Sequence, residues 1–255
     1  MPLHEPGILR ERDGRLALFR IHNPAQRNAL SREVLAQLRA GLLELSQDET
    51  VGALLIGSSS ESVFASGGNI RDLRSLADST DGLSFAESVQ AVFRLIEDFP
   101  RPVVAAINGY ALGAGAELAV AADIRIASDT ARLAFPQIGL GITPGLGGGQ
   151  RLIRLLGPGR AKRVILLGDV ISAQDAFRLG LVELVVPSSD LWATAKGVAD
   201  KLSLKPKTAL ELAKRALDFS SHANLESGCA YEALQFGLAC SLAPFAPLTT
   251  GWKDV

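Results

Sequence analysis

Residues Pro102 to Glu117, PVVAAINGYALGAGAE, constrain this chain more than any other stretch. They open as a β-branched apolar run (Val103, Val104, Ile107), which predicts a buried strand. The run breaks at Asn108-Gly109, passes Gly113 and Gly115, and continues into an alanine-rich helix expected over Ala116 to Ala122. A strand that breaks at glycines and becomes a helix leaves the first N–H groups of that helix without intrahelical partners. Those groups sit at the positive end of the helix dipole and can receive developing negative charge. Glu117 falls in the first turn, so a carboxylate is expected beside the donors. An anion-accepting donor next to an acid or base is the minimum equipment for chemistry that passes through an enolate.

Glu117 stands in an otherwise apolar helix, where an unpaired carboxylate is costly. Either it pairs with an arginine as a structural group, or it works as an acid or base whose pKa burial raises. The glycine turns have a plain alternative as well, since positive φ alone calls for glycine.

A chain of 255 residues can bury a sizeable core as one domain, or one domain with an appendage. A net charge of −1 argues against a nucleic-acid surface and against a polybasic membrane contact. No apolar run reaches the roughly 18 residues of a membrane span. The start, MPLHEPGILRERDGR, has no apolar core of a signal peptide. Cys229 and Cys240 lack ligand-like spacing and read as free thiols of a reducing compartment. A cytoplasmic protein is the expectation. His4, His22 and His222 suggest neither a triad nor a metal site.

Along the chain, strands are expected at Arg15 to Ile21, Val51 to Ile56, Val63 to Ala65, Ile124 to Ala127, Arg132 to Phe135 and Val182 to Val186. A helix capped by Ser31 should bury Leu30, Val34, Leu35, Leu38, Leu42 and Leu43 on one face. Ser66-Gly67-Gly68-Asn69 is a second glycine-opened loop, followed by helix from Ile70. Asp78 to Gly82 reads as loop, and Phe85 to Phe99 as helix. Gly139 to Gly149 has neither the lysine of a phosphate-binding loop nor a full G-x-G-x-x-G, so it reads as a pocket wall leading to a helix. The recurring strand-strand-helix rhythm points to a spiral stack of units. From Pro187 the pattern is helical only, giving an expected division into an α/β core at 1–187 and a helical region at 188–255.

Three segments together resemble the enoyl-CoA hydratase/isomerase (crotonase) superfamily: NPAQRNAL (Asn23 to Leu30), FASGGNIRDL (Phe64 to Leu73) and NGYALGAGAELAVAADIRIAS (Asn108 to Ser128). FPQIGLGITPGLGGGQRL (Phe135 to Leu152) and GDVISAQDAFRLGLV (Gly168 to Val182) look like the same family. The resemblance implies an α/β fold: a crotonase-like spiral of ββα units with a helical C-terminal region, assembled as homotrimers or homohexamers. It implies an acyl-CoA substrate with coenzyme A entering as part of it, and no separate cofactor or metal. Two backbone N–H groups of the family hold the thioester oxygen, and they fall here on Gly68 and Ala114.

The family's hydratases use two glutamates around one water. The first matches Glu117; at the second position stands Gln137, which cannot exchange a proton near pH 7. Isomerases of the family more often keep the acid at the position of Gln137, so neither standard mechanism fits unaltered. Gln26, Arg27, Ser66, Gly67, Asn69, Ile70, Arg71 and Gly113 are the further candidates for binding the acyl-CoA. Arg27 and Arg71 are the ones suited to phosphate. The tail SLAPFAPLTTGWKDV departs from the charged, lysine-bearing ending of many family members, which often helps cover the adenine. The expectation is an enoyl-CoA hydratase-type lyase with Glu117 as the single acid or base. Its alternatives are an isomerase, decarboxylase or thioester hydrolase of the superfamily, or an inactive acyl-CoA binder.

Overall fold

A computed structural model describes residues 5–242. The strands are β1 (Gly7–Asp13), β2 (Leu16–His22), β3 (Ala53–Ser58), β4 (Val63–Ala65), β5 (Val103–Ile107), β6 (Tyr110–Leu112), β7 (Ile124–Ser128), β8 (Arg132–Ala134), β9 (Ile171–Ser172) and β10 (Leu184–Val186). The α-helices are α1 (Arg32–Gln47), α2 (Ile70–Arg74), α3 (Ser79–Glu97), α4 (Ala114–Ala119), α5 (Gly148–Leu156), α6 (Pro158–Leu167), α7 (Ala173–Leu179), α8 (Leu191–Ser203), α9 (Lys207–Ser220) and α10 (Leu225–Leu242).

The spiral is visible in the strand order. One sheet runs β1-β2-β3-β5-β7-β10 and the other β4-β6-β8-β9. The consecutive pairs β3/β4, β5/β6 and β7/β8 each give their first strand to the larger sheet and their second to the smaller one. Each new pair adds in parallel beside the previous one, with Leu55 opposite Val104, Ala105 opposite Arg125 and Tyr110 opposite Arg132. The parallel strands β4, β6 and β8 therefore release the chain at the same sheet end, and the loops that follow them converge.

The larger sheet is covered on both faces, which is why its strands read as continuous apolar runs. Leu54, Ile56, Val103, Ala105 and Ile107 point into the main core with α1 and α3. Their alternating neighbours Ala53, Leu55, Val104 and Ala106 pack with Leu191, Ala195 and Ala199 of α8. Full burial of one such leucine or valine stabilises by roughly 1.5–3 kcal/mol.

The Ser31 hydroxyl caps α1, accepting from Val34 N at 3.4 Å, and Val34, Leu35, Leu38 and Leu42 are buried as expected. Leu43 differs: it is 41% exposed, because one residue beyond Leu42 turns about 100° away from the core. At the far end of α1 the buried Arg101 guanidinium donates to the carbonyls of Leu45 at 2.7 Å and Ser46 at 3.1 Å. It thus caps the negative end of the helix dipole.

Asp78 to Gly82 is not a loop. The Asp78 carboxylate accepts from Thr80 N at 2.8 Å and Asp81 N at 3.0 Å, and this N-cap starts α3 at Ser79. The central helix is also displaced: α4 starts at Ala114 and ends at Ala119, short of Ala122. The chain separates into two compact units, one up to Ser203 and one from Leu204. The division falls later than Pro187 because α8 is part of the first unit, packed on its sheet. In the second unit, α9 and α10 pack together, with the Phe219 and Tyr231 rings stacked at 4.3 Å. The tail from 243 on, including its expected departure from the family ending, lies outside the described residues.

Candidate active site

The two glycine-opened turns meet at the shared end of β4 and β6. A Cβ on Gly67 (φ +115°) would stand 3.1 Å from the Leu112 carbonyl oxygen, and one on Gly115 would stand 2.3 Å from that of Ala65. Only hydrogen side chains allow this approach. Gly67 O accepts from Leu30 N at 2.8 Å. In a trans peptide the next N–H points opposite to that carbonyl, so the Gly68 N–H faces away from Leu30. Gly113 (φ +51°) is the residue before α4, and its carbonyl accepts from Glu117 N at 2.9 Å along the helix. The Ala114 N–H consequently leaves the helix start in the other direction, free of an intrahelical partner.

Glu117 is 1% exposed and held by three neutral donors. Its Oε1 accepts from Leu146 N at 3.1 Å and Gly148 N at 3.0 Å; its Oε2 accepts from Gln137 Nε2 at 3.0 Å. No arginine is among these donors, although the Arg151 charge acts on the carboxylate. Burial pushes the Glu117 carboxyl above the usual carboxylate range. The amides of Gly148 and Leu146, the Gln137 side chain and the Arg151 charge oppose that rise only in part. A carboxylate so placed is fixed in position and able to exchange protons nearer neutrality.

Gln137 is 7% exposed, in the short 3-10 helix Pro136–Leu140 that follows β8. It reaches Glu117 because β6 and β8 are adjacent and parallel; a Cβ on Gly113 would lie 3.8 Å from its Nε2.

Leu146, Gly148 and Arg151 are site residues that sequence reasoning missed. The density of glycines from Gly145 to Gly149 was the available signal. Gly148 is where it matters, since a Cβ there would fall 2.3 Å from Glu117 Cγ. Arg151 braces the loop, donating to Leu146 O at 3.2 Å and to Glu97 at 2.7 Å.

Of the remaining candidates, Gln26, Ser66 and Asn69 tie the loops together. Asn69 Nδ2 donates to Gln26 Oε1 at 2.9 Å, Ser66 Oγ donates to Gln26 O at 3.3 Å, and Asn69 Oδ1 caps α2. A cleft of about 550 Å³ borders both glycine turns, lined among others by His22, Pro24, Arg27, Ser66, Tyr110 and Leu112. Arg27 is exposed at its rim and adopts φ +51°. Ile70 and Arg71 stand at the exposed start of α2 and do not line this cleft. No group of three or more His, Cys, Asp or Glu among the described residues could hold a metal ion. Cys229 and Cys240 are exposed free thiols.

The family model for enoyl-CoA hydratase/isomerase matches residues 11–242. The chain is 39% identical to a crotonyl-CoA hydratase of Syntrophomonas wolfei, over 91% of this chain and 88% of that one. It is 38% identical to a short-chain-enoyl-CoA hydratase of Clostridium acetobutylicum, over 90% and 88%. Among solved structures, an enoyl-CoA hydratase from Bacillus anthracis superposes with a TM-score of 0.88 at 32% identity, covering 92% of this chain and 91% of that one. One from Thermoplasma volcanium gives 0.85 at 34% identity, covering 92% of each. The spiral of paired strands is thus the crotonase fold, and the chain belongs to the enoyl-CoA hydratase/isomerase family.

Proposed function

We propose that this enzyme adds water across the C2=C3 bond of short 2,3-enoyl thioesters of coenzyme A, with Glu117 as the only group that carries a proton. The observation that carries the reading is the position of Glu117: a buried carboxylate of raised pKa, three residues after the outward N–H of Ala114. The thioester oxygen accepts from the N–H groups of Gly68 and Ala114. Glu117 takes a proton from water as the water oxygen bonds to acyl C3. The C2=C3 electron pair moves through the thioester carbon onto its oxygen, giving an enolate that the two amides stabilise. One such preorganised donor contributes about 3–4 kcal/mol. As the enolate collapses, C2 takes the proton back from Glu117. Gln137 gives no proton; its amide keeps Glu117 in place.

The cleft along Arg27, Ser66 and Tyr110 is the proposed path of the carrier, with the Arg27 guanidinium at its rim for phosphate. Relatives named for crotonyl-CoA and short-chain enoyl-CoA favour a short, straight acyl group. Self-association as a trimer or hexamer is supported by α10, whose apolar Leu225, Leu234, Phe236 and Leu238 are left exposed around the helix. A reducing, cytoplasmic location is supported by the two exposed free thiols.

The lone buried carboxylate of Glu117 also allows a second reading, double-bond migration, because one carboxyl suffices to move a proton between C2 and C4. Incubation of the purified chain with a panel of acyl thioesters, followed by mass spectrometry, separates the two. Hydration adds the mass of water to crotonyl-CoA; migration leaves a 3,4-enoyl thioester unchanged in mass but with a conjugated product.

A further inference from the structure

The Leu146 N–H that holds Glu117 belongs to the peptide joining Gly145 to Leu146, and the other end of that peptide is held as well. Gly145 O accepts from Gln90 Nε2 at 2.6 Å, while Leu146 N donates to Glu117 Oε1 at 3.1 Å. In a trans peptide the C=O and N–H point in opposite directions, so the two bonds continue through one rigid plane. A carbonyl accepts only, so the NH2 of Gln90 is the end that faces it. Gln90 is half-buried on α3. Glu97, two turns further along the same face, takes the Arg151 guanidinium, which also donates to the next carbonyl, Leu146 O, at 3.2 Å. One face of α3 thus secures two successive carbonyls of the loop that carries the Glu117 donors. Ala86 of that face would lie 3.8 Å from a Cβ on Gly145.

We propose that Gln90 is a positioning residue for the reaction: from α3 it fixes the peptide plane that aims the Leu146 N–H at Glu117. This rests on the reading of Glu117 as the group that carries the proton. A donor on the carbonyl polarises the N–H at the far end of the same peptide and strengthens its bond to the carboxylate. Losing that donor leaves the ionised form of Glu117 less well held, so its proton affinity rises. The charge that acts on Glu117 is that of Arg151 on α5, paired with Glu97 of α3. Arg154 of α5 and Tyr110 of β6 are exposed. The rest of α4, β4, the 3-10 helix Pro136–Leu140 and the loop 141–147 bring no other ionisable side chain.

The test begins with the full-length wild type. In nitrogen-edited NMR spectra recorded across pH, the Gln90 side-chain NH2 and the Leu146 N–H should shift with one shared midpoint, and both shifts should vanish in Glu117→Gln. Gln90→Met has a similar volume and no donor. In it the Leu146 midpoint should move up, by about threefold in proton affinity. Its kcat for crotonyl-CoA hydration on the alkaline plateau should fall about tenfold, with Kd for butyryl-CoA unchanged. Gln90→Glu is closest to glutamine in shape but sets an ionised acceptor against Gly145 O, so it should be the slower of the two variants. A side chain that only filled space would rank them the other way, and that order overturns the proposal. A Gln90 resonance indifferent to Glu117 ionisation overturns it too, a result that stands even if the variants do not fold, as does a methionine variant with the wild-type midpoint or kcat. Should the wild type show no hydration while the two resonances titrate together and the midpoint moves, the hydratase reading falls and this inference remains. Hydration at the wild-type rate in Gln90→Met removes this inference alone.

Discussion

The Gly148 amide donates to Glu117 Oε1 over 3.0 Å, and a methyl group at 148 would stand 2.3 Å from Glu117 Cγ. The start of α5 is therefore seated directly against the carboxylate, and only glycine fits between them. Gly148→Ala must push one away from the other. A misplacement of about 1 Å in a reacting group costs on the order of a hundredfold in rate, and overpacking of this kind destabilises by about 1–3 kcal/mol. Steady-state kinetics should give a kcat at least about tenfold below wild type, and a melting curve a lower Tm.

Gly115 sits equally close to the Ala65 carbonyl, 2.3 Å from where its Cβ would be. Gly115→Ala should separate the start of α4 from the end of β4 and misalign the Ala114 and Gly68 N–H groups. Loss of one such donor lowers kcat by about 10²–10³. Gly197, in the middle of α8, has no heavy atom within 4 Å of its added Cβ and provides the contrast. Gly197→Ala should leave kcat unchanged and raise stability by about 0.5–1 kcal/mol through helix propensity. Equal damage from both substitutions, in kcat and Tm, would contradict the geometry.

Glu117 also links stability to pH. Burial raises its folded pKa above the unfolded value, so the folded chain holds more protons between the two values. Stability therefore falls as pH rises through that window, and the loss is complete above the folded pKa. The amide introduced by Glu117→Gln has no proton to lose, and its oxygen can still accept from Leu146 and Gly148. The Tm of this variant relative to wild type should climb with pH from just above the ordinary carboxylate range and then level off. A difference that is constant with pH would contradict the assignment. The wild-type kcat should lose its acid limb at a pH above that of an unperturbed carboxylate, since the base must be ionised.

Much of the candidate site was legible because it is built from glycine turns and one charge in an apolar helix. Gly67 and Gly115 mark close backbone approach and Gly113 a positive φ, and Glu117 stands out as a charge among alanines. The spiral was legible from the repeated strand pairs. The short strand β6 was hidden between Asn108 and Gly113, where three residues carry too little periodicity. The donors of Leu146 and Gly148 were illegible because an N–H to a residue some thirty positions away leaves no side-chain signature. The Asp78 cap reads as loop because polar residues that start helices have the composition of turns. The later unit boundary depends on α8 burying Leu191, Ala195 and Ala199 against strands far earlier in the chain.

The central claim is that one carboxylate does the proton work beside two amides. Its most direct test compares wild type and Glu117→Gln on the same preparation, with kcat for hydration of crotonyl-CoA and Kd for butyryl-CoA. A kcat lower by about 10³-fold or more is expected in the variant, with Kd changed by no more than about threefold, because the Gly68 and Ala114 donors remain. Turnover at the wild-type rate in Glu117→Gln would contradict it.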